Sequence, residues 1–369
     1  MKLTTGSLER QQARQPCKKG NGFHFIVLLV LLDLSAAFDT IDRTVLLDRL
    51  EHVVGVKGTA LSWLRSYLTD QYQFVDLDGD FSMHTKVMFG VPQGSVLGPM
   101  LFSLYMLPLG AIIHKHGISF HCYADDTQLY VSAKSDERHQ LIKIEECVKD
   151  IRHWMATNFL LLNSDKTEVL VLGPHAARSE LSDYRVTVDG LSVSSCPAVK
   201  VLGVIIDSGL SFDAHVDNIT RVAFFHLSNI AKIRNMMSLH DAEKLVHAFV
   251  TSRLDYCNAL LSGCSSRSIN MLQLVQNAAA RVLTRTRRYE HITPILATLH
   301  WLPVKFRINY KILLLIFKAL NGLTPQYLSD LLVFYDPPRL LRSKGAGYLV
   351  VTSSKGYSRG RSFLFQSLG

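Results

Sequence analysis

The sequence predicts an α+β fold in which an antiparallel sheet with flanking helices is followed by a helical region. Two observations support this prediction. Strand-like runs up to about residue 207 are joined mainly by hairpin signals rather than by a regular alternation of strands and helices. Beyond that point the strand signal stops, and helical patterns follow one another. The length of 369 residues suits about two domains.

The first predicted element is a buried strand over Phe25–Leu32, a run of eight apolar residues that ends at Asp33. Two lysines precede the run, as in a short signal peptide. However, the run is too short to span a membrane, and no small-residue cleavage site follows it. We therefore expect an intracellular protein, nuclear or cytoplasmic and not secreted, that has no membrane partner.

Hydrophobic periodicity predicts the remaining elements in chain order. In the first region, helices are predicted at Thr44–Val54, Thr59–Tyr72, Met100–His116 and Glu137–Asn158. Strands are predicted at Gln73–Asp80 and Met83–Phe89 as one hairpin, at Phe120–Cys122 and Gln128–Val131, at Thr167–Gly173, in a hairpin turning at Asp189-Gly190, and at Val199–Asp207. The helical region has predicted helices at Asp213–Met236, His240–Leu261, Ser266–Thr284 and Pro303–Asn321.

These patterns divide the chain into four parts. We expect a disordered N-terminal arm over residues 1–22, an α+β domain over 23–207, a helical domain over 208–334 and a flexible tail over 335–369. The net charge of +9 and the pI near 9.2 favour polyanionic partners, although a merely soluble basic protein has the same balance. The six cysteines form no C-x-x-C pair, which indicates reduced thiols rather than a zinc site or a disulfide framework.

Adjacent carboxylates stand out in "FHCYADDTQLYV", Phe120–Val131. Asp125 and Asp126 can reach one site only if Tyr123–Asp126 forms the turn of a hairpin, because neighbouring side chains of a straight strand point to opposite faces. A cluster that includes Asp33 would then need a divalent cation such as Mg²⁺ to offset its repulsion, and two such ions suit phosphoryl transfer. Solvent-facing turn acids are the alternative, and periodicity leaves both open.

Three ordered motifs resemble those of reverse transcriptases. "LLDLSAAFDTID" (Leu31–Asp42) resembles motif A, "GVPQGSVLGPMLFSLYM" (Gly90–Met106) resembles motif B and "YADDTQLY" (Tyr123–Tyr130) resembles motif C. "LNSDKTEVLVLG" (Leu162–Gly173) is similar to motif D. In the helical region, "LDYCNALL", "QNAAARVLT" and "LHWLPV" resemble the C-terminal part of polymerases from LINE-type retrotransposons without long terminal repeats, of the jockey or chicken-repeat kind.

This resemblance implies a polymerase palm and a helical thumb, and it implies roles for motif residues. Asp33, Asp125 and Asp126 would be the catalytic acids that bind two Mg²⁺ ions, with Mn²⁺ as a possible substitute. The Leu34 carbonyl would touch a metal. Lys166 would donate a proton to the departing pyrophosphate. The partners implied are an RNA template, a DNA primer and deoxynucleoside triphosphates. The oligomeric state does not follow from the resemblance.

The remaining implied roles concern the nucleotide. Phe38 occupies the steric-gate position that excludes a ribose 2′-hydroxyl, Gln93 and Gly94 lie against the nucleotide and template, and Tyr123 lies near the primer end. Core packing is the alternative for Phe38 and Tyr123, and a surface position is the alternative for Lys166. The resemblance also implies that cationic residues of the thumb contact phosphates of the template–primer, although a solvated helix face explains these residues nearly as well. They are Lys232, Arg234, Arg281, Arg285, Arg287 and Arg288. Trp301 is expected in the core.

The chain departs from the family at its ends. Only about 24 residues precede the motif A strand, so we expect a truncated reverse transcriptase that lacks most of its fingers region. Two functions therefore remain open: an RNA-directed DNA polymerase for retrotransposition, and an inactive remnant that only binds nucleic acid. A different two-metal enzyme, such as a cyclase or nuclease, is disfavoured because Phe38 and the "PQG" of motif B have no role there.

Overall fold

The computed structural model describes residues 25–134, 138–179, 185–188, 191–335 and 348–350. The chain forms two compact units, Met1–Pro197 and Ala198–Gly369. The division thus lies ten residues before the predicted boundary at 207. The predicted N-terminal arm, the Asp189-Gly190 turn and most of the predicted tail lie outside the described residues.

The first unit is built on a six-stranded sheet that confirms the predicted α+β class. The described strands of this unit are β1 (Phe25–Leu32), β2 (Leu34–Ser35), β3 (Tyr72–Gln73), β4 (Asp76–Leu77), β5 (Asp80–Phe81), β6 (Thr85–Lys86), β7 (Ser119–Tyr123), β8 (Asp126–Lys134), β9 (Leu161–Leu162), β10 (Glu168–Leu172), β11 (Arg185–Val188) and β12 (Leu191–Cys196). The sheet order is β11-β12-β10-β1-β8-β7, and its pairs are antiparallel except β10 with β12. Strand β1 lies between two neighbours, which explains its unbroken apolar run.

Helices cover the sheet of the first unit. They are α1 (Arg43–His52), α2 (Gly58–Leu68), α3 (Gly98–Tyr105), α4 (Leu109–Lys115), α5 (Arg138–Thr157) and α6 (His175–Ser179). The prediction of one helix over Met100–His116 is wrong, because the helix breaks before Pro108, whose ring nitrogen cannot donate a hydrogen bond to the preceding turn. The predicted apolar face of α5 is confirmed, since Ile144, Val148 and Ile151 are buried.

A buried arginine joins three helices behind the sheet. Arg49 of α1 donates to the carbonyl of Tyr105 at the end of α3 and to Oδ1 of Asn158, just after α5. Its guanidinium carbon lies 4.4 Å from the centre of the Tyr105 ring, and the Tyr105 hydroxyl donates to the Asn158 carbonyl at 2.7 Å. Burial lowers the pKa of Arg49, so these acceptors offset the desolvation of its charge.

A hairpin is present between α2 and α3, as predicted, but it consists of two short nested pairs, β3 with β6 and β4 with β5, and its turn lies inside the predicted strand Gln73–Asp80. The chain reverses at Asp78 and Gly79, whose φ angles of 52° and 96° fit a tight turn between short strands. Many apolar side chains of this hairpin are exposed, including Val75, Leu77 and Met83. The hairpin therefore contributes little to the core of the unit.

The second unit is mainly helical, as predicted. Its described elements are β13 (Ala198–Val201), β14 (Val204–Asp207), α7 (Asp213–Ile233), α8 (Leu239–Val246), α9 (Ser252–Asp255), α10 (Ser266–Thr284), α11 (Ile292–Thr298), α12 (Val304–Leu320) and α13 (Gln326–Ser329). The predicted single strand Val199–Asp207 is wrong: it is a hairpin that turns at Leu202 and Gly203, both with positive φ. The predicted helix His240–Leu261 is also wrong, because a π-helical turn at His247–Thr251 and a positive φ at Cys257 divide it.

Trp301 is 8% exposed, which confirms the predicted core position. None of the five cysteines among the described residues forms a disulfide; Cys147 is buried, whereas Cys257 is exposed. Across the described ranges, no helix combines the length and the apolar content needed to cross a membrane.

Candidate active site

The two neighbouring aspartates lie in a tight hairpin turn, as the sequence predicted. Strand β7 ends at Tyr123 and strand β8 begins at Asp126, and these two residues form the last pair of the β7–β8 ladder. Ala124 and Asp125 form the turn, with Ala124 at a φ of 55°. Asp125 and Asp126 are both half-buried. The turn therefore removes the strict alternation of faces that would separate their carboxylates in a straight strand.

Asp33 reaches the same end of the sheet by strand register. Leu32, the last residue of β1, pairs with Thr127 of β8. One step further along this antiparallel ladder, Asp33 comes opposite Asp126. The backbone beyond Asp33 turns away into β2, and the Asp33 carbonyl accepts from the amide of Asn163 at 2.8 Å. Two strands that are far apart in sequence thus bring the acids of motifs A and C together.

The electrostatics of this sheet end are those of a crowded anionic site. Burial, then repulsion by Asp125 and Asp33, raises the pKa of Asp126. The Oδ2 atom of Asp33 is buried and has no hydrogen-bond partner among the described residues. Buried acceptors without a hydrogen bond are uncommon and call for an explanation such as a nearby cation. Nevertheless, within the described part of the chain, no three His, Cys, Asp or Glu side chains are grouped tightly enough to hold a metal ion.

A short turn places Lys166 beside Asp33. Its Nζ lies 3.5 Å from Asp33 Oδ2, and most of its side chain is exposed. The turn is a 3₁₀ segment, Ser164–Lys166, and the Asn163 side chain caps it by accepting from the Lys166 amide at 3.2 Å. Asn163 therefore binds the backbone of Asp33 and the turn that carries the lysine. The structure thus brings the candidate lysine to the candidate acid.

The motif B loop is hydrogen-bonded to the second half of motif A. Gly90 donates to the Ile41 carbonyl at 2.8 Å, and Val91 donates to the Phe38 carbonyl at 3.0 Å. Gly90 has a φ of 80°, and a Cβ there would lie 3.0 Å from the Phe38 carbonyl oxygen. Both the dihedral and the close approach therefore require glycine at this position.

Arg43 anchors the segment that leads into the motif B loop, residues 87–90. Its side chain, 8% exposed, donates to the carbonyls of Val87 at 2.6 Å, Gly90 at 2.9 Å and Phe89 at 3.2 Å. Burial lowers the pKa of this arginine, and the three carbonyl dipoles replace part of its lost hydration.

Gln93 and Gly94 lie at the exposed tip of the loop. The Gln93 amide donates to Oδ1 of Asp39 at 2.7 Å, which fixes its side chain against motif A. Gly94 has a φ of 77° and open space where a Cβ would stand. Another backbone or a ligand therefore has room to approach it.

The other candidates occupy different environments. The Phe38 ring is half-buried and stacks on Phe102, with ring centroids 4.6 Å apart. Leu34 is buried in β2, where it pairs with Leu162 of β9, and the metal contact of its carbonyl stays a prediction. Tyr123 is 66% exposed, which argues against core packing.

Three contributors to this site escaped the sequence reasoning. Arg43 contacts residues 44 to 47 positions away, and no local pattern announces such contacts. Asp39 is an ordinary acid in the sequence until the loop brings Gln93 to it. Asn163 could have been found, because an asparagine three residues before Lys166 is a typical cap.

The cationic residues proposed for phosphate contact are not equivalent. Arg234 is buried and donates to the carbonyls of Leu283 and Met237, so the expectation that it contacts phosphate is wrong. Arg281 donates to the Glu290 carbonyl, and Arg285 donates to the Arg234 carbonyl. Exposed cations nearby include Lys232, Arg287 and Arg288.

Comparison with known proteins agrees with this arrangement of motifs. The family described as "Reverse transcriptase (RNA-dependent DNA polymerase)" matches residues 25–206. The "Probable RNA-directed DNA polymerase from transposon BS" of Drosophila melanogaster is 25% identical over 268 residues, which cover 69% of this chain and 28% of that protein. The "RNA-directed DNA polymerase from mobile element jockey" of the same species is 24% identical over 260 residues, which cover 68% of this chain and 27% of that protein.

A structural likeness exists to telomerase from Candida albicans in complex with a fragment of telomeric RNA. It has a TM-score of 0.37 and 12% identity, and it covers 75% of this chain and 51% of that one. This likeness is too weak to add to the assignment. The chain spans about 28% of the length of the curated relatives. Residues 25–206 therefore form a reverse transcriptase domain, and the chain is similar to the polymerases of LINE-type retrotransposons such as jockey.

Proposed function

We propose that this chain carries the polymerase site of an RNA-directed DNA polymerase that serves retrotransposition. Its substrates would be an RNA template, a DNA primer and deoxynucleoside triphosphates, with the first unit as palm and the helical unit as thumb. The observation that carries the proposal is the meeting of Asp33 with Asp125 and Asp126 at one end of the sheet. Distant strands bring these acids together at the cost of mutual repulsion, which a structural role does not require.

The carboxylates are suited to divalent cations. Asp33, Asp125 and Asp126 would hold two Mg²⁺ ions, with Mn²⁺ as a substitute, because carboxylate oxygens are the ligands that both ions accept. Asp33 Oδ2, which is buried and accepts no hydrogen bond, and the raised pKa of Asp126 support this fit. When bound, such ions neutralise phosphate oxygens and make the primer 3′-hydroxyl easier to deprotonate.

Residues of the chain itself would position the reactants and manage the leaving proton. Lys166 holds an ammonium beside Asp33 and is exposed enough to donate a proton to the departing pyrophosphate. Gln93 and Gly94 present the motif B loop to the nucleotide and template, and the Arg43 contacts keep that loop in place. Positioning of this kind supplies much of the rate acceleration in phosphoryl transfer.

Primer extension on an RNA template tests the proposal. Asp125→Asn keeps the size of the side chain and removes its charge, so we expect extension to fall by roughly 10³-fold or more. The matched control is Asp48→Asn, an exposed acid of α1. Extension that survives in Asp125→Asn at the wild-type rate would contradict the metal-binding role.

The steric gate gives a second, independent readout. Phe38→Val replaces the ring that stacks on Phe102 with a smaller side chain and opens space for a 2′-hydroxyl. We expect incorporation of ribonucleotides relative to deoxynucleotides to rise by roughly tenfold, which is the scale of discrimination by a few methylene groups. Phe81→Val, on the exposed hairpin, is the control. An unchanged ratio in the Phe38 variant would assign the ring to packing alone.

A second function is favoured by one observation: within the described residues the acids are not grouped closely enough to hold a metal. Under this alternative the chain is a remnant that binds nucleic acid without incorporating nucleotides. It predicts oligonucleotide binding that weakens log-linearly with salt, together with no product even in Mn²⁺. Any template-dependent product abolished by Asp125→Asn excludes it.

A further inference from the structure

Helix α12 of the second unit has an apolar face that faces solvent. Five large side chains on this helix are each 45–65% exposed: Phe306, Tyr310, Leu313, Phe317 and Leu320. Their spacing is four, three, four and three residues, and at 3.6 residues per turn they fall within about 80° of arc. We call these five residues the α12 stripe. Regular spacing over four turns distinguishes it from scattered surface hydrophobics.

The opposite face of the same helix is attached to the unit in its first turns. Val304 and Ile308 are buried at 2% and 4% exposure, whereas Leu315, further along that face, is 38% exposed. The Val304 amide donates to Gln273 Oε1 at 2.9 Å, and Arg307 forms a two-pronged ion pair with Asp255 of α9. These contacts fix the rotation of the helix about its axis at its N-terminal end. The direction of the α12 stripe is therefore set by contacts within the unit.

We propose that the α12 stripe is a dimer interface, which packs against the same stripe of a second copy of this chain. An alternating four-and-three spacing is the pattern by which two helices interlock side chains along a common seam. Leu313 is the middle residue of the stripe: Phe306 and Leu320 lie seven residues away on either side, Tyr310 lies three residues before it and Phe317 four residues after it. A parallel second copy pairs identical residues, whereas an antiparallel copy pairs Tyr310 with Phe317 with an offset of one residue.

Charge supports a helix as the partner. The side chains that flank the stripe are uncharged: Asn309, Leu314, Ile316 and Asn321. The cations of the helix, Lys305, Arg307, Lys311 and Lys318, lie about 100° or more from the centre of the stripe. Two copies can therefore close the stripe without placing like charges at the seam. A polyanion would instead need those cations beside the apolar side chains.

The area is sufficient for association. Aromatic side chains carry about 150–250 Å² each, so five large residues exposed by about half present roughly 500 Å² per copy. Two copies would bury about 1,000 Å², which is the lower bound for a specific interface. The dimer is accordingly expected to be reversible, with a dissociation constant of roughly 10 µM. The inference does not depend on polymerase activity.

Sedimentation equilibrium of the full chain tests the proposal over roughly 1–100 µM protein. Wild type should sediment as a monomer–dimer equilibrium, and Leu313→Glu should raise the dissociation constant by roughly 100-fold, because it places two carboxylates against each other at the seam. Leu274→Glu on α10 is the matched control, since Leu274 is 60% exposed and lies off the stripe. A wild-type chain that stays monomeric throughout this range overturns the proposal, as does a dimer that survives Leu313→Glu.

Cysteine cross-linking provides a test that does not depend on the charged variant folding. Because Leu313 is the middle residue of the stripe, Leu313→Cys lies opposite its own copy in a parallel dimer and within one residue of it in an antiparallel dimer, and it should form a disulfide-linked dimer under mild oxidation. Lys311→Cys lies off the seam and should not, and wild type measures the background from native thiols such as exposed Cys257. Equal cross-linking at both positions overturns the proposal.

Salt separates the dimer from a nucleic-acid surface. Apolar association between two cationic helices should persist or strengthen as salt rises, whereas binding to an oligonucleotide weakens. If Leu313→Glu abolishes salt-sensitive oligonucleotide binding by a monomeric chain and Leu274→Glu does not, the stripe contacts nucleic acid and the dimer proposal is overturned.

Discussion

Each of the two units has one surface of distinctive chemistry. In the first unit it is charged: Asp33, Asp125 and Asp126 come to one end of the sheet, and burial together with repulsion by its neighbours raises the pKa of Asp126. In the second unit it is apolar, along the exposed side of α12. A crowded anionic turn can be satisfied by ions and phosphates, whereas a long apolar stripe can be satisfied only by another surface. The chemistry of each surface therefore indicates the class of ligand.

The largest expected effect contrasts buried and exposed leucines of the second unit. Leu272→Ala removes a fully buried side chain of α10 and should lower the free energy of unfolding by about 2–5 kcal/mol. Leu313→Ala, on the α12 stripe, should change it by less than about 0.5 kcal/mol at a protein concentration too low for dimers. Urea unfolding followed by circular dichroism measures both. A large loss in Leu313→Ala would mean that the stripe is packed within the unit.

The next effect concerns two glycines of the motif B loop. Gly90→Ala combines a positive φ with a Cβ pressed against backbone, and it should cost about 2–3 kcal/mol of unfolding free energy. Gly94→Ala has a similar φ and open space, so it should cost about 1 kcal/mol. Urea midpoints of the two variants compare them directly. Equal losses would show that the dihedral angle alone matters and that the contact with Phe38 is readily relieved.

The two units also differ in how far the sequence could describe them. The acids, the gate and the loop lie in short motifs, and the Tyr123–Asp126 turn followed from the need to bring adjacent side chains together. Arg43 and Asp39 could not be predicted, because their partners come from distant segments. In the second unit, helical periodicity located α7 and α10 but missed the breaks near His247 and Cys257. Periodicity reports which residues are apolar, and it does not report which apolar face lacks a partner.

A smaller effect tests whether repulsion within the acidic site lowers the free energy of unfolding. Asp126→Asn removes one charge from the repelling group, so we expect the free energy of unfolding in EDTA to rise by about 0.5–1 kcal/mol. Mg²⁺ should narrow this difference, because the ion stabilises only the folded protein that retains all its ligands. Asp48→Asn should behave like wild type under both conditions. Lower stability of Asp126→Asn in EDTA would contradict the repulsion.

The smallest effect is a pH dependence of stability that arises from a single buried histidine of the second unit. His215 on α7 is 4% exposed, and its Nδ1 accepts from the Ile205 amide of β14 at 3.3 Å, which requires an unprotonated Nδ1. Burial lowers the pKa of His215 below the ordinary value of 6.5. At a pH between the folded-state pKa and the ordinary, unfolded-state pKa, the unfolded chain therefore binds a proton that the folded unit does not. Stability should therefore decline as the pH falls below about 6.5 and level off, for this group, below its folded pKa.

His215→Asn keeps an acceptor near the position of Nδ1 and removes the titration. The contribution of His215 is the change in urea midpoint between pH 7.5 and pH 5.0 in wild type minus the same change in the variant, because the other histidines are common to both. We expect the wild type to lose more stability on acidification than His215→Asn does. Equal losses would mean that a water or a rearranged hairpin accommodates the protonated His215. The contact between β14 and α7 would then not depend on a neutral imidazole. A smaller loss of stability on acidification in the wild type than in His215→Asn would mean that folding raises the pKa of His215 instead of lowering it.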